Sequence, residues 1–276
     1  MAEEYAVIDL EMTGLRSTKD RIIEMAAVLI RDGRIAESFD RLVNPHRLLK
    51  ERIIELTGIT DAMTAAAPDI EEVLPEFLDF IGERTLVGHN LMADFSFVKQ
   101  NAVNLSLSFE REGIDTLKIA RRVLPEEQGK ALDELCTFYG IDPGHVHRAC
   151  DDARATAEVF LRLCEAFGQT RPELFEAKPL QYKAKKQGPL TPVQKRDLIR
   201  LTQLYGIRAD IEIDSLTKSE ASRLIQRIHD TYGRLPREEH LQEQEAGGGS
   251  KAKRLPEQEA GGESKAPAGA GSRTGK

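Results

Sequence analysis

The sequence predicts an α/β domain with a mixed sheet flanked by helices, followed by a small all-α module and a disordered tail. Three observations lead to this expectation. Two strand-like segments near the N-terminus are separated by Asp32-Gly33, which is a strong hairpin signal. Further along, segments with helical apolar spacing alternate with short apolar strands. After about residue 170 the composition shifts, first to a basic Pro-containing stretch and later to a polar repetitive one.

Three strands are expected at the start of the domain. Residues 5–11 begin with an apolar run, and residues 21–31 contain the long apolar run IIEMAAVLI. After the Asp32-Gly33 turn, residues 35–43 return as the third strand. Consecutive strands joined by a tight turn pair in an antiparallel manner, so this part of the sheet is a meander.

Helices and short strands then alternate. Residues 69–81 place apolar side chains at helical spacing, and residues 85–88 form a short buried strand followed by a helix from about Ala93. Residues 133–139 and 152–167 are predicted as further helices. This order of elements favours a mixed rather than a purely antiparallel sheet.

Four regions follow from these composition shifts: a first domain (1–170), a basic linker (171–189), a small helical module (190–235) and a tail (236–276). In the module, Thr217 precedes Glu220 by three residues, which is the pattern of a capping box. In the tail, LQEQEAGGGSKA recurs as LPEQEAGGESKA, and such a polar repeat cannot fill a core. We therefore expect the tail to be disordered.

The charge is distributed unevenly along the chain. Residues 1–170 hold 19 Lys and Arg against 31 Asp and Glu, whereas residues 171–236 hold 13 against 8. The acidic first domain is a poor passive binder of nucleic acid, although bound metal ions would reverse the local field. No segment approaches the length of a membrane span and no signal peptide is evident, so a cytoplasmic protein without membrane contact is expected. The three cysteines lack the spacing of a zinc site.

Asp9 and Glu11 are separated by one residue on the first predicted strand. Side chains alternate along a strand, so both carboxylates project from the same face. Without a partner they would repel each other, and a divalent cation would remove that conflict. A D-x-E triplet is common, and two ordinary acids on a solvent-facing edge remain the alternative.

Two later segments add chemistry-bearing residues. Asp94 lies at the start of the helix that follows the short strand, where an ordinary first-turn acid is the alternative. His147 precedes Asp152 by five residues, and a surface histidine with an aspartate N-cap is the alternative there. Together, four carboxylates and one histidine near element ends are the inventory for metal-assisted phosphodiester hydrolysis.

The three segments, in this order, resemble the motifs of the DnaQ-like superfamily of 3′→5′ exonucleases, DEDDh branch. The first motif, D-x-E-x-T-G-L, matches Asp9, Glu11, Thr13, Gly14 and Leu15; the second matches His89, Asn90, Asp94 and Phe97; the third matches His147 and Asp152. The similarity spans about residues 4–167, and the family includes the proofreading ε subunit and the PolC-type exonuclease domain of bacterial DNA polymerase III, to which the chain is similar. It implies a ribonuclease H-like fold.

The resemblance also implies the roles of individual residues. Asp9, Glu11 and Asp152 would bind one Mg²⁺ or Mn²⁺ ion, and Asp9 with Asp94 would hold a second. His147 would be the general base. The residues expected along the substrate are Met12, Thr13, Gly14, Leu15, His89 and Asn90.

The expected substrate is single-stranded nucleic acid, with DNA favoured over RNA. The expected process is replication proofreading or repair, with DNA polymerase III or another replication or repair protein as a partner. Met12 departs from the proofreading pattern, because DLEMTGL is the form found in oligoribonucleases. An exoribonuclease that trims short RNA or RNA 3′ ends is therefore the alternative. For the helical module, contact with a phosphate backbone and packing on the first domain or another protein are both open.

Overall fold

The computed structural model describes residues 4–207 and 213–233, and the tail predicted over residues 236–276 lies outside them. The described strands are β1 (Tyr5–Met12), β2 (Ile22–Arg31), β3 (Arg34–Leu42), β4 (Thr85–Gly88), β5 (Glu112–Asp115) and β6 (Lys178–Pro179). The described α-helices are α1 (Glu51–Thr57), α2 (Asp61–Ala65), α3 (Ile70–Ile81), α4 (Met92–Asn104), α5 (Thr116–Val123), α6 (Leu132–Tyr139), α7 (Ala149–Phe167), α8 (Pro192–Tyr205) and α9 (Lys218–Tyr232).

The strands form one mixed sheet in the order β3-β2-β1-β4-β5-β6. The meander β1-β2-β3 is antiparallel, β1, β4 and β5 are parallel to one another, and β6 is antiparallel to β5. The predicted meander and mixed sheet are confirmed. At the β2–β3 turn, Asp32 and Gly33 both have positive φ, the backbone that a two-residue type I′ hairpin requires.

Helices cover both faces of the sheet. Ala6, Ile8 and Leu10 of β1 pack in one apolar cluster with α3 and α4, whereas Val7 packs in another with residues of α5, α6 and α7. Nine of the ten residues of β2 are buried, because this strand is central and covered on both sides. Since side chains alternate, Asp9 and Glu11 share the face of Val7 and so lie on the α7 side.

The structure differs from the sequence-based expectations in several boundaries. Helix α7 begins at Ala149 rather than at Asp152, so Asp152 lies in the first turn and is not the N-cap. Elements β5 and α5 were not predicted, because the short strand EGID offers little apolar signal. Part of the segment predicted as a linker, Lys178–Pro179, pairs with β5 as an edge strand.

Helices α8 and α9 pack with their first turns together and their last turns together, and the pair contacts the first part of the chain. The cap predicted at Thr217 is confirmed, and Thr191 caps α8 in the same way, since each threonine accepts a hydrogen bond from the third helical residue. Arg223 and Arg227 of α9 form ion pairs with Glu71 and Asp69 at the start of α3. Within residues 4–207 and 213–233, no helix is both long and apolar enough to cross a bilayer.

Candidate active site

The candidate site lies where β1 and β4 end. Because these strands are parallel neighbours, their carboxyl ends meet at one edge of the sheet. Asp9 and Glu11 come from β1, and Asp94 lies in the first turn of α4, which follows β4 after a short turn. The side chain of Asp94 is buried, and it forms a backbone hydrogen bond with Leu10. The tertiary fold thus brings the second-motif aspartate beside the first-motif pair.

Helix α7 contributes Asp152 and the loop before it contributes His147 on the same face of the sheet. Ligand atoms of Glu11, His147 and Asp152 lie within 4.8 Å of one another. The backbone N–H of His147 donates to Asp152 Oδ2 over 3.0 Å, so the aspartate also orients the residue that carries the imidazole. His147 is exposed and has a φ of 63°, the left-handed region that a non-glycine residue seldom adopts. The local backbone therefore presents this histidine to solvent above the acid cluster.

We use the name acid cluster for Asp9, Glu11, Asp94 and Asp152. Burial is the largest cause that raises the pKa of each of them, and repulsion among neighbouring carboxylates adds to it. The pKa of Glu11 and of Asp94 rises to about 8, and that of Asp152 to about 6. The pKa of Asp9 is raised well above its ordinary value.

These shifts indicate that the protein compensates the charge of the ionised carboxylates only in part, through backbone hydrogen bonds that lower the pKa of Asp94 and Asp152. Arg148 lowers the pKa of Glu11, but this effect is smaller than the opposite effects of burial and of the neighbouring carboxylates. Buried carboxylates that face one another are stabilised by a hard divalent cation, whose charge reverses the local field. The carboxylate oxygens of the acid cluster are a donor set that fits Mg²⁺ or Mn²⁺.

The sequence reasoning missed Glu24. This residue is the one charged side chain in the buried run of β2, it pairs across the strands with Glu11, and it is fully buried. Its carboxylate accepts hydrogen bonds from the Arg148 guanidinium at 2.5 to 3.2 Å and from the backbone N–H of Ala149 at 2.8 Å. Glu24 thus attaches the start of α7 to the sheet. An acid within an otherwise apolar strand was the available signal.

The segment after β1 leaves the sheet in a tight loop. Thr13 is buried, and its hydroxyl accepts a hydrogen bond from the Arg21 backbone N–H at 2.9 Å. A Cβ on Gly14 would lie 2.7 Å from the Asp20 carboxylate, so a side chain would collide there. Leu15 is 88% exposed, which leaves its side chain free to meet a bound molecule. Met12 is half-buried and packs against the core beneath the loop.

His89 and Asn90 lie in the turn between β4 and α4. Both ring nitrogens of His89 have partners, Thr116 Oγ1 and the Lys130 carbonyl, each at 2.9 Å. Burial lowers the pKa of His89, so the neutral imidazole joins this turn to the start of α5 and to the loop before α6. Asn90 is exposed with a φ of 68°. Their contact with substrate stays a prediction.

His145 and Asp151 are the nearest competitors of the third-motif residues. The Asp151 carboxylate accepts from the His145 backbone N–H at 2.9 Å, and the His145 ring lies 3.2 Å from the same oxygen. The His145 side chain is 91% exposed. The two residues therefore stabilise the loop before α7 and are absent from the group of ligand atoms that includes His147 and Asp152.

A family model described as exonuclease matches residues 6–160 of the chain. The chain is 43% identical over 162 residues to the DNA polymerase III subunit epsilon of Aquifex aeolicus, covering 58% of this chain and 80% of that protein. It is 42% identical over 162 residues to the DNA polymerase III PolC-type of Caldanaerobacter subterraneus. That match covers 59% of this chain and only 12% of the much longer relative.

Solved structures show the same fold. Exonuclease X in complex with 5′ overhanging duplex DNA is 30% identical with a TM-score of 0.51, covering 62% of this chain and 96% of that one. The nuclease domain of 3′hExo, described as a DEDDh family member bound to rAMP, is 22% identical with a TM-score of 0.53, covering 60% and 94%. The region that matches the exonuclease family model runs from β1 into α7 and includes every residue of the candidate site.

Proposed function

The chain belongs to the DnaQ-like exonuclease family, and on that premise we propose that it removes nucleoside 5′-monophosphates from the 3′ end of single-stranded DNA during replication proofreading or repair. The observation that carries the proposal is the convergence of the acid cluster and His147 at one edge of the sheet. Four carboxylates from three separate segments meet there, and their burial and repulsion require a counter-charge.

The residues that would hold metal ions are those of the acid cluster. Asp9, Glu11 and Asp152 fit one Mg²⁺ or Mn²⁺ ion, and Asp9 with Asp94 fits a second. Bound divalent ions supply charge stabilisation at the phosphate and lower the pKa of an attacking water. The protein's part is to hold the carboxylates buried and fixed on β1, α4 and α7, and bound ions would keep them ionised.

His147 is the proposed general base. It is exposed beside the acid cluster, and its position is fixed through the Asp152 carboxylate. In the proposed reaction the oxygen of water bonds to the terminal phosphorus while His147 takes a proton from that water. The bond between phosphorus and the 3′ oxygen of the preceding nucleotide breaks, and that oxygen leaves. Histidine is the side chain that most often performs such a proton transfer in enzymes.

A ribonuclease is the second candidate, and Met12 favours it. This side chain stands between the metal-binding Glu11 and the Thr13-Gly14-Leu15 loop and is half-buried. The form DLEMTGL is the one found in oligoribonucleases, whose substrate carries the 2′-hydroxyl that distinguishes RNA from DNA. The names of the relatives favour DNA, and an association with a DNA polymerase III or another replication or repair protein belongs to the same proposal.

The test uses matched single-stranded DNA and RNA oligonucleotides labelled at the 5′ end. The purified protein is added with Mg²⁺ or Mn²⁺, alongside an EDTA control and the variant Asp9→Ala. The proposal expects a descending ladder on DNA that both controls abolish. A ladder on RNA alone would replace DNA by RNA as the substrate, and a ladder that persists in EDTA or in Asp9→Ala would refute the metal-dependent site.

A further inference from the structure

A second charged site lies where the α8–α9 pair meets the first domain. A pocket of about 390 Å³ is lined by the loop after β1, by the segment before α8 and by the start of α9. Its principal lining residues are Arg21, Lys185, Lys186, Lys218, Ser219 and Ser222, which we call the basic pocket. They are far apart in the sequence and meet only in the folded protein.

Every ionisable residue that lines the basic pocket is basic. Lys185, Lys186 and Lys218 are exposed, and among the described residues neither Lys185 nor Lys218 forms an ion pair. Lys186 donates to Ser106 Oγ at 2.8 Å, and Glu220 lies outside the lining but close enough for Lys186 to lower its pKa. Free lysine ammonium groups beside serine hydroxyls are the groups that bind phosphate oxygens without regard to base sequence.

Arg21 forms the inner wall of the pocket. Its Nη2 donates to Ser219 Oγ at 2.8 Å, so the guanidinium joins the loop after β1 to α9. Arg47 and Arg223 lie nearby, and burial together with these two cations lowers the pKa of Arg21 to about 10, although Glu71 and Asp20 oppose the effect. An excess of positive charge is therefore concentrated on the inner side as well as on the rim.

The basic pocket is connected directly to the acid cluster. Thr13 donates its backbone N–H to the Arg21 carbonyl at 2.8 Å, and the Arg21 N–H donates to Thr13 Oγ1 at 2.9 Å. Thr13 follows Glu11, a proposed metal ligand, by two residues, so the two residues are at most about 7 Å apart along the chain. A strand whose end lies at the acid cluster can therefore reach the pocket within a few nucleotides.

We propose that the basic pocket binds the phosphodiester backbone of the substrate strand, on the internal side of the nucleotide that is being removed. The inference rests on the proposed function, because it takes the strand end to lie at the acid cluster. The pocket counteracts the repulsion between nucleic acid and the acidic first domain. It therefore governs binding of long strands, whereas a dinucleotide is too short to use it.

The test measures binding without catalysis. Fluorescence anisotropy of a labelled 20-nucleotide single strand is recorded in EDTA over a range of salt concentrations. The variant K185A/K218A is compared with wild type and with K118A/K178A, which removes the same charge at a different pocket beside β5. Thermal unfolding of each variant verifies that the fold is intact.

We expect K185A/K218A to bind about tenfold more weakly at low salt and to reduce the slope of log affinity against log salt by about 1.4, since each single-strand phosphate contact contributes about 0.7. K118A/K178A should bind like wild type. Equal weakening in both double variants, or none in K185A/K218A, would overturn the basic pocket. The ladder assay is separate, so its failure would count against the exonuclease and leave the binding result to decide the pocket.

Discussion

The acid cluster and the basic pocket are two charged regions joined by the contact between Thr13 and Arg21, yet they are held in different ways. The carboxylates of Asp94 and Asp152 are buried on helices that pack against the sheet. The pocket lysines are exposed on a loop and a helix start. Because the acid cluster is buried, we expect the loss of one carboxylate to have a large effect. Because the pocket lysines are exposed, we expect each to make a small, additive contribution to binding that salt weakens.

The largest effect on the acid cluster is expected from the variant Asp152→Asn. Asparagine can still accept the hydrogen bond from His147, so the fold should persist while one negative ligand is lost. We expect kcat to fall by at least about a thousandfold, because metal-assisted charge stabilisation contributes several kcal/mol. In EDTA the variant should melt no lower than wild type, since a repelling charge is removed. A calorimetric scan beside the ladder assay checks both statements.

His147→Ala separates proton transfer from ligand binding. We expect a fall in kcat of about 10² to 10⁴, the usual contribution of a general base, with little change in affinity for a single strand. His145→Ala is the matched control, because that ring is exposed and interacts with Asp151. A similar loss in both variants would show that the loop as a whole, and not the His147 imidazole, is responsible.

Glu24→Gln tests whether a residue outside the motifs positions them. Glutamine retains the shape but loses the charge that binds Arg148, so a loss of about 1.5–3 kcal/mol in the free energy of unfolding is expected. We also expect kcat to fall by about 10- to 100-fold with KM nearly unchanged, as for other groups that orient metal ligands. If the variant is destabilised but its kcat is normal, Glu24 serves only the fold.

The stability of the acid cluster should depend on pH and on divalent ions. Because the pKa of Glu11 is raised from 4.5 to about 8 in the folded protein, its contribution to stability is complete below pH 4.5 and is lost as the pH rises through 8. In EDTA the acid cluster should therefore make the protein less stable at pH 8 than at pH 6. Added Mn²⁺ should raise the melting temperature most at pH 8. Asp9→Asn should keep the pH dependence of stability in EDTA, because burial and the other carboxylates still raise the pKa of Glu11, but it should lose most of the response to Mn²⁺.

A large share of the candidate site could be predicted from the sequence. Asp9 and Glu11 had to share a face because they alternate on one strand, and Asp94 had to follow a buried strand. The start of α7 was misplaced by three residues, since an aspartate in the first helical turn and an N-cap aspartate have similar local sequences. Glu24 was missed because its partners, Arg148 and Ala149, are more than 120 residues away.

The sequence by itself predicted the class of chemistry, because three short motifs that resemble those of the DEDDh exonucleases place carboxylates near the ends of strands and helices. Only the tertiary structure decided that Glu11, His147 and Asp152 meet, and that Thr13 joins them to Arg21. It alone decided that α9 and the segment before α8 complete a basic pocket with the loop after β1. The physical reason is that side-chain periodicity acts over a few residues, whereas burial and charge concentration depend on which distant segments the core brings together.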